Sequence, residues 1–300
     1  MSTLKTINIQ NPASSTINIV TDAAGNVGIA TVPTNKFHVL GSSNDTINSA
    51  NLNVKFQGAG GNGLGFGTIS SSPYSSYIQS GYVTSLSTAT YNLSLNPNGG
   101  NVGIGTTSPI RALTVTGSSS PEFVLQNTSG TTNYKNWRFF YASDTFYMGI
   151  LNDAGTAGTE RFKIDSSGRV TRPFQTAFYA AGSGGNVTTT NMYDFIFDNV
   201  ITNIGNNYNG SNGRFTAPIA GLYHFSYNLF NNGGTGRISF KYNSGSYNGS
   251  EMDCSSTIGP IGQSATIYLN ANDWVTVGDW QSISGKTIYM GHSSFSGFLV

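Results

Sequence analysis

Cysteine and charge are both scarce in this 300-residue sequence. Cys254 is the only cysteine, so no intrachain disulfide can form, and stability must come from burial and assembly. Charged residues make up 9% of the chain, against about 25% in typical soluble proteins, and the net charge is +1. The sequence therefore lacks the electrostatic footprint of a nucleic-acid partner or of an anionic membrane.

Long apolar runs are absent as well. No segment approaches the roughly 18 apolar residues of a membrane span, and the first twenty residues lack a basic segment followed by an apolar one. We expect neither membrane insertion nor secretion by the standard route. Asn, Ser, Thr and 38 glycines replace the charges, and 12% of the residues are aromatic. This mixture suits strands and turns better than helices, so the prediction is an all-β protein.

The first half of the chain contains a degenerate repeat. Each copy runs from an alternating strand through a glycine turn into a second short strand, at residues 17–31, 93–106 and 162–173. The aligned glycines, Gly25, Gly100 and Gly168, are 75 and 68 residues apart. Between these segments, residues 37–43 correspond to 113–119, and residues 53–57 correspond to 123–127.

Each repeat unit holds about five short strands and is too polar to bury a core of its own, so it needs partners. We interpret residues 1–30 as an attachment segment with a first partial repeat. Residues 31–173 form a β-repeat shaft of two units, about 31–106 and 107–173, and residues 174–300 form a head. The alternative is two small independent β-sandwiches joined by linkers.

The head is best defined by one strand. Tyr223, Phe225, Tyr227 and Leu229 alternate with polar residues, which predicts a half-buried strand. Short strands every 8 to 12 residues, separated by Gly/Asn turns, indicate a sandwich. The predicted strands are 175–180, 193–201, 213–216, 221–230, 236–242, 252–257, 263–269, 273–279 and 291–300.

Residues 197–226 resemble the signature of the C1q domain, in particular the run Asn203-Ile204-Gly205-Asn206-Asn207-Tyr208 and the run Gly213-Arg214-Phe215-Thr216-Ala217-Pro218-Ile219-Ala220-Gly221-Leu222-Tyr223. Residues 267–277 and the closing strand 293–300 also resemble that family. The resemblance implies a ten-stranded jelly roll that assembles as a compact homotrimer.

The string from Gly100 to Pro109, GNVGIGTTSP, resembles repeats of viral tail-fibre and spike shafts, in which three chains share one axis.

Acid–base catalysis on sugars needs two carboxyl groups about 5 to 10 Å apart. The three glutamates, Glu122, Glu160 and Glu251, fall in three different predicted units, and most aspartates lie in turn-like contexts. We therefore expect no catalytic residues and no enzymatic activity.

Metal-binding patterns are also lacking. The three histidines, His38, His224 and His292, have no metal-ligand spacing, so we expect no metal and no cofactor. Calcium at the head stays open at Asp273 and Asp279, because some C1q-like heads bind it near the trimer apex. If three copies of His224 met on an axis, they would form a pH-sensitive cluster.

The binding hypothesis concerns the head loops, which are rich in Tyr, Asn, Ser and Gly. Tyrosine offers rigid contact area, and Asn and Ser offer adaptable hydrogen bonds, as in an antibody paratope. The alternative is that these are solvated turns. The predicted receptor contacts are Asn207, Tyr208, Asn232, Tyr247 and Asn248.

The whole sequence thus predicts a homotrimeric fibre on a virion, in which the N-terminus attaches to the particle and the knob contacts a host glycan or protein. One alternative is a capsid or tail decoration fibre with a purely structural role. Another is a bacterial C1q-like adhesin.

Overall fold

The computed structural model describes residues 7–9, 19–40, 52–82, 89–189, 193–243, 245–246, 251–283 and 285–300. Every regular element in these ranges is a β-strand, as predicted. None of the described segments forms a helix long and apolar enough to cross a membrane. The chain divides into two compact units, Met1–Val115 and Thr116–Val300.

The first unit contains three small sheets, whose strands are numbered in chain order. Val27 to Ile29 pairs in parallel with Phe37 to Val39, and Val102 to Ile104 pairs in parallel with Leu113 to Val115, so both copies of the Val-Gly-Ile repeat have one pairing pattern. The strands are β1 (Ile7–Ile9), β2 (Ile19–Thr21), β3 (Val27–Ile29) and β4 (Phe37–Val39) in one sheet, β5 (Val54–Gln57), β6 (Asn62–Thr68) and β7 (Ser76–Tyr82) in the second, and β8 (Val102–Ile104) with β9 (Leu113–Val115) in the third.

The glycine turns of the repeat have a common design. Gly25, Gly100 and Gly168 have φ angles of +74°, +92° and +78°, a conformation that suits glycine. In two copies an aspartate, Asp22 or Asp165, accepts backbone N–H bonds from residues two and four positions further on. The bond from the fourth residue's N–H is the largest cause that lowers the pKa of each aspartate.

The second unit begins with an antiparallel sheet, which we call the stalk sheet. Its ladder pairs Phe123 with Phe139 and Leu125 with Trp137. Its strands are β10 (Glu122–Gln126), β11 (Asn136–Ala142), β12 (Thr145–Leu151), β13 (Gly158–Ile164) and β14 (Val170–Thr171).

Two packed sheets follow and form the head, a jelly-roll sandwich. The first sheet contains β15 (Ala177–Ala181), β16 (Asn186–Thr188), β17 (Asn199–Ile204), β20 (Gly221–Asn231), β24 (Gly259–Leu269) and β26 (Thr287–Leu299). The second contains β18 (Tyr208–Asn209), β19 (Arg214–Thr216), β21 (Thr235–Tyr242), β22 (Gly245–Ser246), β23 (Met252–Cys254) and β25 (Trp274–Ile283).

The core of the head is aromatic, and the predicted central strand supplies much of it. Tyr223, Phe225, Tyr227 and Leu229 are all buried on β20, which confirms the predicted alternation. The ring of Phe225 lies 6.2 Å from that of Phe240 on the opposite sheet. A cluster of this kind is the main source of stability in a domain without a disulfide.

The predicted strand 193–201 is confirmed only from Asn199 onward. Residues 193–198 alternate like a strand, but the structure has only an isolated bridge from Asp194 to Gly278 there, and β17 begins at Asn199. Phe195 and Phe197 are fully buried, and the Phe195 backbone N–H donates to the carbonyl oxygen of Val277 on β25 over 2.9 Å. Burial therefore produced the alternation without a continuous ladder.

Candidate functional site in the head loops

The head has two ends, and one of them joins the stalk sheet. The Gln175 side-chain amide donates to the carbonyl oxygen of Leu299, and Arg172 donates to Gln175 over 3.3 Å. The Arg161 guanidinium lies 4.2 Å from the centre of the Phe174 ring. We call the end of the head at Gly221 and Leu299, next to these contacts, the proximal end, and the opposite end the distal end.

Strand β20 sets the distance between these ends. It spans eleven residues, so at about 3.4 Å per residue the two ends are roughly 30 Å apart. Gly221 pairs with Leu269 at the proximal end, and Asn231 pairs with Gly259 at the distal end.

The predicted contact residues do not gather at one end. Asn207 lies at the proximal end, where its amide donates to Thr176 Oγ1 over 3.2 Å. Asn232 lies at the distal end, where it is exposed and donates to Asn186 Oδ1 over 3.0 Å. They cannot belong to one compact site. Tyr247 and Asn248 lie outside the described residues.

Tyr208 is a core residue rather than a surface contact. Only 4% of its surface is exposed, and its ring stacks on Phe178 at 4.6 Å. Its hydroxyl donates to the carbonyl oxygen of Phe197 over 3.0 Å, and burial raises the pKa of this hydroxyl. The Asn-rich surroundings suggested a loop, but the two-residue strand β18 turns the ring inward.

Three loops meet at the distal end, and we call them the distal loops. They are residues 183–186, 232–234 and 255–258, and none contains a charged residue. Ile258 is 62% exposed, and its neighbours Ser255, Ser256 and Thr257 are also exposed. The surface that they form offers amide, hydroxyl and backbone groups around an exposed aliphatic side chain.

Hydrogen bonds of one buried side chain, Asn231, and one exposed side chain, Asp198, hold the distal loops in place. Asn231 is 1% exposed, and its amide donates to the carbonyl oxygens of Ser255 and Thr257 over 2.8 and 3.0 Å. Asp198 accepts hydrogen bonds from the hydroxyl and the backbone N–H of Ser183, and these bonds lower its pKa, with the hydroxyl bond the larger cause. A preorganised loop loses less entropy when it binds.

The candidate metal residues are dispersed. Asp273 accepts bonds from Tyr242 and Asn243 at the proximal end, and these bonds lower its pKa to about 2. Asp279 is fully buried and pairs with Lys286 at 3.1 Å, so the two aspartates do not converge. Among the described residues, no group of three or more His, Cys, Asp or Glu side chains lies close enough to hold a metal ion.

The histidines are also separate from one another. His224 lies on the solvent side of the first head sheet, 3.2 Å from Thr266 Oγ1 and with its ring 5.3 Å from that of Phe298. His292 packs edge-on against Tyr289, and His38 lies in the first unit beside Thr34.

Comparison with known proteins gives one family for the head. A family model described as the C1q domain matches residues 177–300. A stretch of 37 residues is 49% identical to one of the subunits of the complement C1q subcomponent of Homo sapiens, and covers 12% of this chain and 15% of the length of that relative.

Several solved structures are similar to a part of the chain of about the same length. The globular domain of zebrafish complement 1qA protein has 16% identity and a TM-score of 0.33, over 42% of this chain and 98% of that one. Murine APRIL has 8% identity and a TM-score of 0.32, over 42% and 99%. The PRD1 vertex protein P5 has 17% identity and a TM-score of 0.32, over 42% and 98%.

Proposed function

From the C1q domain formed by residues 177–300, we propose that this protein is a homotrimeric virion fibre whose head binds a glycan or protein of the host surface. The observation that carries the proposal is the uncharged, preorganised surface of the distal loops, at the end of the head away from the stalk sheet. Loops at one end of a rigid sandwich are the usual position of a binding site.

The trimer is supported by an apolar cluster on the solvent side of the first head sheet. We call it the head patch. Leu222 and Tyr268 are neighbours across the ladder, and Phe298 pairs with His224 on the next strand. The patch consists of Leu222, Tyr268, Phe298 and Val300, which are 50%, 59%, 47% and 64% exposed. A contiguous exposed apolar patch is typical of a protein–protein interface.

The fibre is supported by the repeat. The two Val-Gly-Ile segments pair in parallel with the strands that follow them, and each small sheet has little core of its own. The resemblance of residues 100–109 to viral shaft repeats is the reason to assign the fibre to a virion. In this proposal residues 1–30 attach to the particle.

The test is adsorption of the full-length protein to host cells, with two matched variants. Ile258→Asp changes an exposed side chain in the distal loops, and Ile219→Asp makes the same change at the proximal end, where Ile219 is 53% exposed. We expect Ile258→Asp to lose most cell binding and Ile219→Asp to retain it. Equal binding by the two variants would contradict attachment through the distal loops.

Three other functions would give different results, in the adsorption assay or in a separate measurement. A purely structural decoration fibre would show no saturable binding to host cells, and particles without the head would adsorb normally. A bacterial adhesin would be recovered from the surface of the cells that produce it. Release of reducing sugar from host polysaccharide would instead indicate an enzyme.

A further inference from the structure

One face of the stalk sheet is composed of uncharged and mostly apolar side chains, and we call it the stalk face. The ladder places Phe123 beside Phe139, Phe139 beside Met148, and Met148 beside Phe162. Because side chains alternate between the two faces of a sheet, the register defines the whole set. The stalk face consists of Phe123, Leu125, Trp137, Phe139, Tyr141, Phe146, Met148, Ile150, Thr159, Phe162, Ile164 and Val170.

Much of this face is open to solvent in the single chain. Phe123, Leu125 and Tyr141 are 54%, 51% and 51% exposed, and Trp137 is 41% exposed. Soluble monomers seldom expose contiguous apolar surface of this kind. The stalk face therefore requires a cover.

The opposite face of the same sheet has a different character. Arg138 forms an ion pair with Glu122 at 3.4 Å, and its guanidinium lies 4.1 Å from the centre of the Phe140 ring. Phe140 is 8% exposed and stacks on Tyr147 at 4.6 Å. On that face charge and local packing leave Val124, which is 40% exposed, as an open apolar side chain, whereas the stalk face has several.

The absence of charge suits contact between identical surfaces. Around a threefold axis, a charged side chain close to the axis lies near its own two copies, which is unfavourable in a dry contact. No ladder position of the stalk face carries a charge. The nearest cation, Arg161 at the bulge of β13, has its guanidinium over the Phe174 ring.

The stalk face is also continuous with the head patch. A cavity of about 320 Å³ lies between them and is lined by Phe162 of the stalk face, by Phe174, by Leu299 and Val300 of the head, and by the polar residues Arg161, Arg172 and Gln175. Val300 in turn donates its backbone N–H to the carbonyl oxygen of Leu222. The two apolar surfaces are therefore neighbours within the second unit, with Arg161 and Arg172 at the cavity between them. A partner that covers the head patch would extend past these cations onto the stalk face.

We propose that the stalk face is a second intersubunit contact, where three copies of this chain pack around the axis that their heads share. The inference rests on the proposed trimer, and it adds that the stalk sheet contributes to assembly independently of the head. Each copy would bury its aromatic row, which includes Trp137, against the other two.

The first experiment measures assembly of the full-length protein as a function of its concentration, by light scattering. Leu125→Asp places a carboxylate on the stalk face, and Val124→Asp places one on the opposite face of the same strand, where Val124 is 40% exposed. We expect Leu125→Asp to require at least about tenfold more protein for half-assembly, which for an equilibrium of three chains with one trimer is a change of about 2.7 kcal/mol per trimer. Val124→Asp should assemble like the wild type.

The second experiment uses milder variants and does not depend on weakened assembly. Leu125→Cys and Val124→Cys are treated with a thiol reagent, and the native Cys254 is 4% exposed and serves as an unreactive background. In the assembled protein we expect Cys at position 124 to react and Cys at position 125 to be protected until dilution or denaturant separates the subunits.

The outcomes are distinguishable. A trimeric wild type in which positions 124 and 125 react equally would overturn the inference and leave the proposed trimer through the heads intact. A monomeric wild type would overturn both. Dimers held by the stalk face would contradict the shared axis, because the head and the stalk would then follow different symmetries.

Discussion

The most decisive stability prediction concerns a buried ion pair in the head. Lys286 and Asp279 are both fully buried, and Nζ lies 3.1 Å from Oδ1. The contact does not have the angles of a hydrogen bond, so within the described part of the chain Oδ1 accepts none. Oδ2 accepts a bond from Thr189 Oγ1 over 2.6 Å, and Nζ lies 3.5 Å from the carbonyl oxygen of Arg237. Each charge is thus held mainly by the other.

Removing only the cation should be costly. Lys286→Met retains most of the apolar stem but leaves Asp279 as a buried anion without its partner, which typically costs about 3–5 kcal/mol. For a domain of this size, about 3–5 °C per kcal/mol gives a fall in melting temperature of roughly 10–20 °C. The double variant Lys286→Met/Asp279→Asn should recover most of the loss, because the neutral amide oxygen can still accept the bond from Thr189.

The assay is thermal unfolding at one fixed protein concentration, because assembly also changes the apparent stability. The matched control is Arg237→Met, which breaks an exposed pair with Asp253 at 2.7 Å, whose side chains are 45% and 77% exposed. That pair should contribute only about 0–1 kcal/mol. If Lys286→Met melted within a few degrees of Arg237→Met, the reasoning about the buried pair would be refuted.

Three further predictions follow from individual contacts. Tyr227 is buried, and no described residue forms a hydrogen bond with its hydroxyl. Tyr227→Phe should therefore leave the free energy of unfolding unchanged or raise it by up to about 1–2 kcal/mol, with no fall in melting temperature. A large loss of stability would contradict this reasoning. The pKa of Asp273 is about 2 in the folded head and about 3.9 in the unfolded chain. Its contribution to stability is therefore present above about pH 4 and is lost as the pH falls toward 2. Between about pH 4 and pH 2, the stability of Asp273→Asn should change less than that of the wild type. A Cβ at Gly103 would lie 2.4 Å from the carbonyl oxygen of Thr106, whereas a Cβ at Gly60 would meet nothing nearer than 4.0 Å. In thermal unfolding, Gly103→Ala should therefore destabilise the first unit by about 1–3 kcal/mol, and Gly60→Ala should destabilise it much less.

The sequence predicted the features that repeat with a short period. The alternation of β20 needed only residues two apart, and the turns at Gly25 and Gly168 needed only a glycine after an aspartate. Both are local patterns with one structural solution, since a strand has two faces and a left-handed turn favours glycine.

The correspondence of residues 53–57 with 123–127 stays a prediction. Both segments overlap a strand that pairs antiparallel with the next one, Val54–Gln57 in the first unit and Glu122–Gln126 in the second. A shift of one residue would exchange the two faces of a strand, and the letters alone do not define the face.

For the proposed binding site, the sequence predicted only the composition of the loops. Asn207 and Asn232 lie in similar Asn-rich loops, yet β20 separates them by the length of the sandwich. Tyr208 was assigned to a loop because its neighbours are polar, and only the tertiary fold reveals that its ring completes the aromatic core. Which end a loop occupies depends on strand direction and pairing, and neither is encoded in the loop itself.

The central claim is that three copies of this chain form one fibre, and the most direct test is the mass of the purified full-length protein in solution by light scattering. The account predicts three times the chain mass, independent of concentration over the micromolar range. A mass equal to that of one chain would contradict it, because the head patch and the stalk face would then be left uncovered in solution.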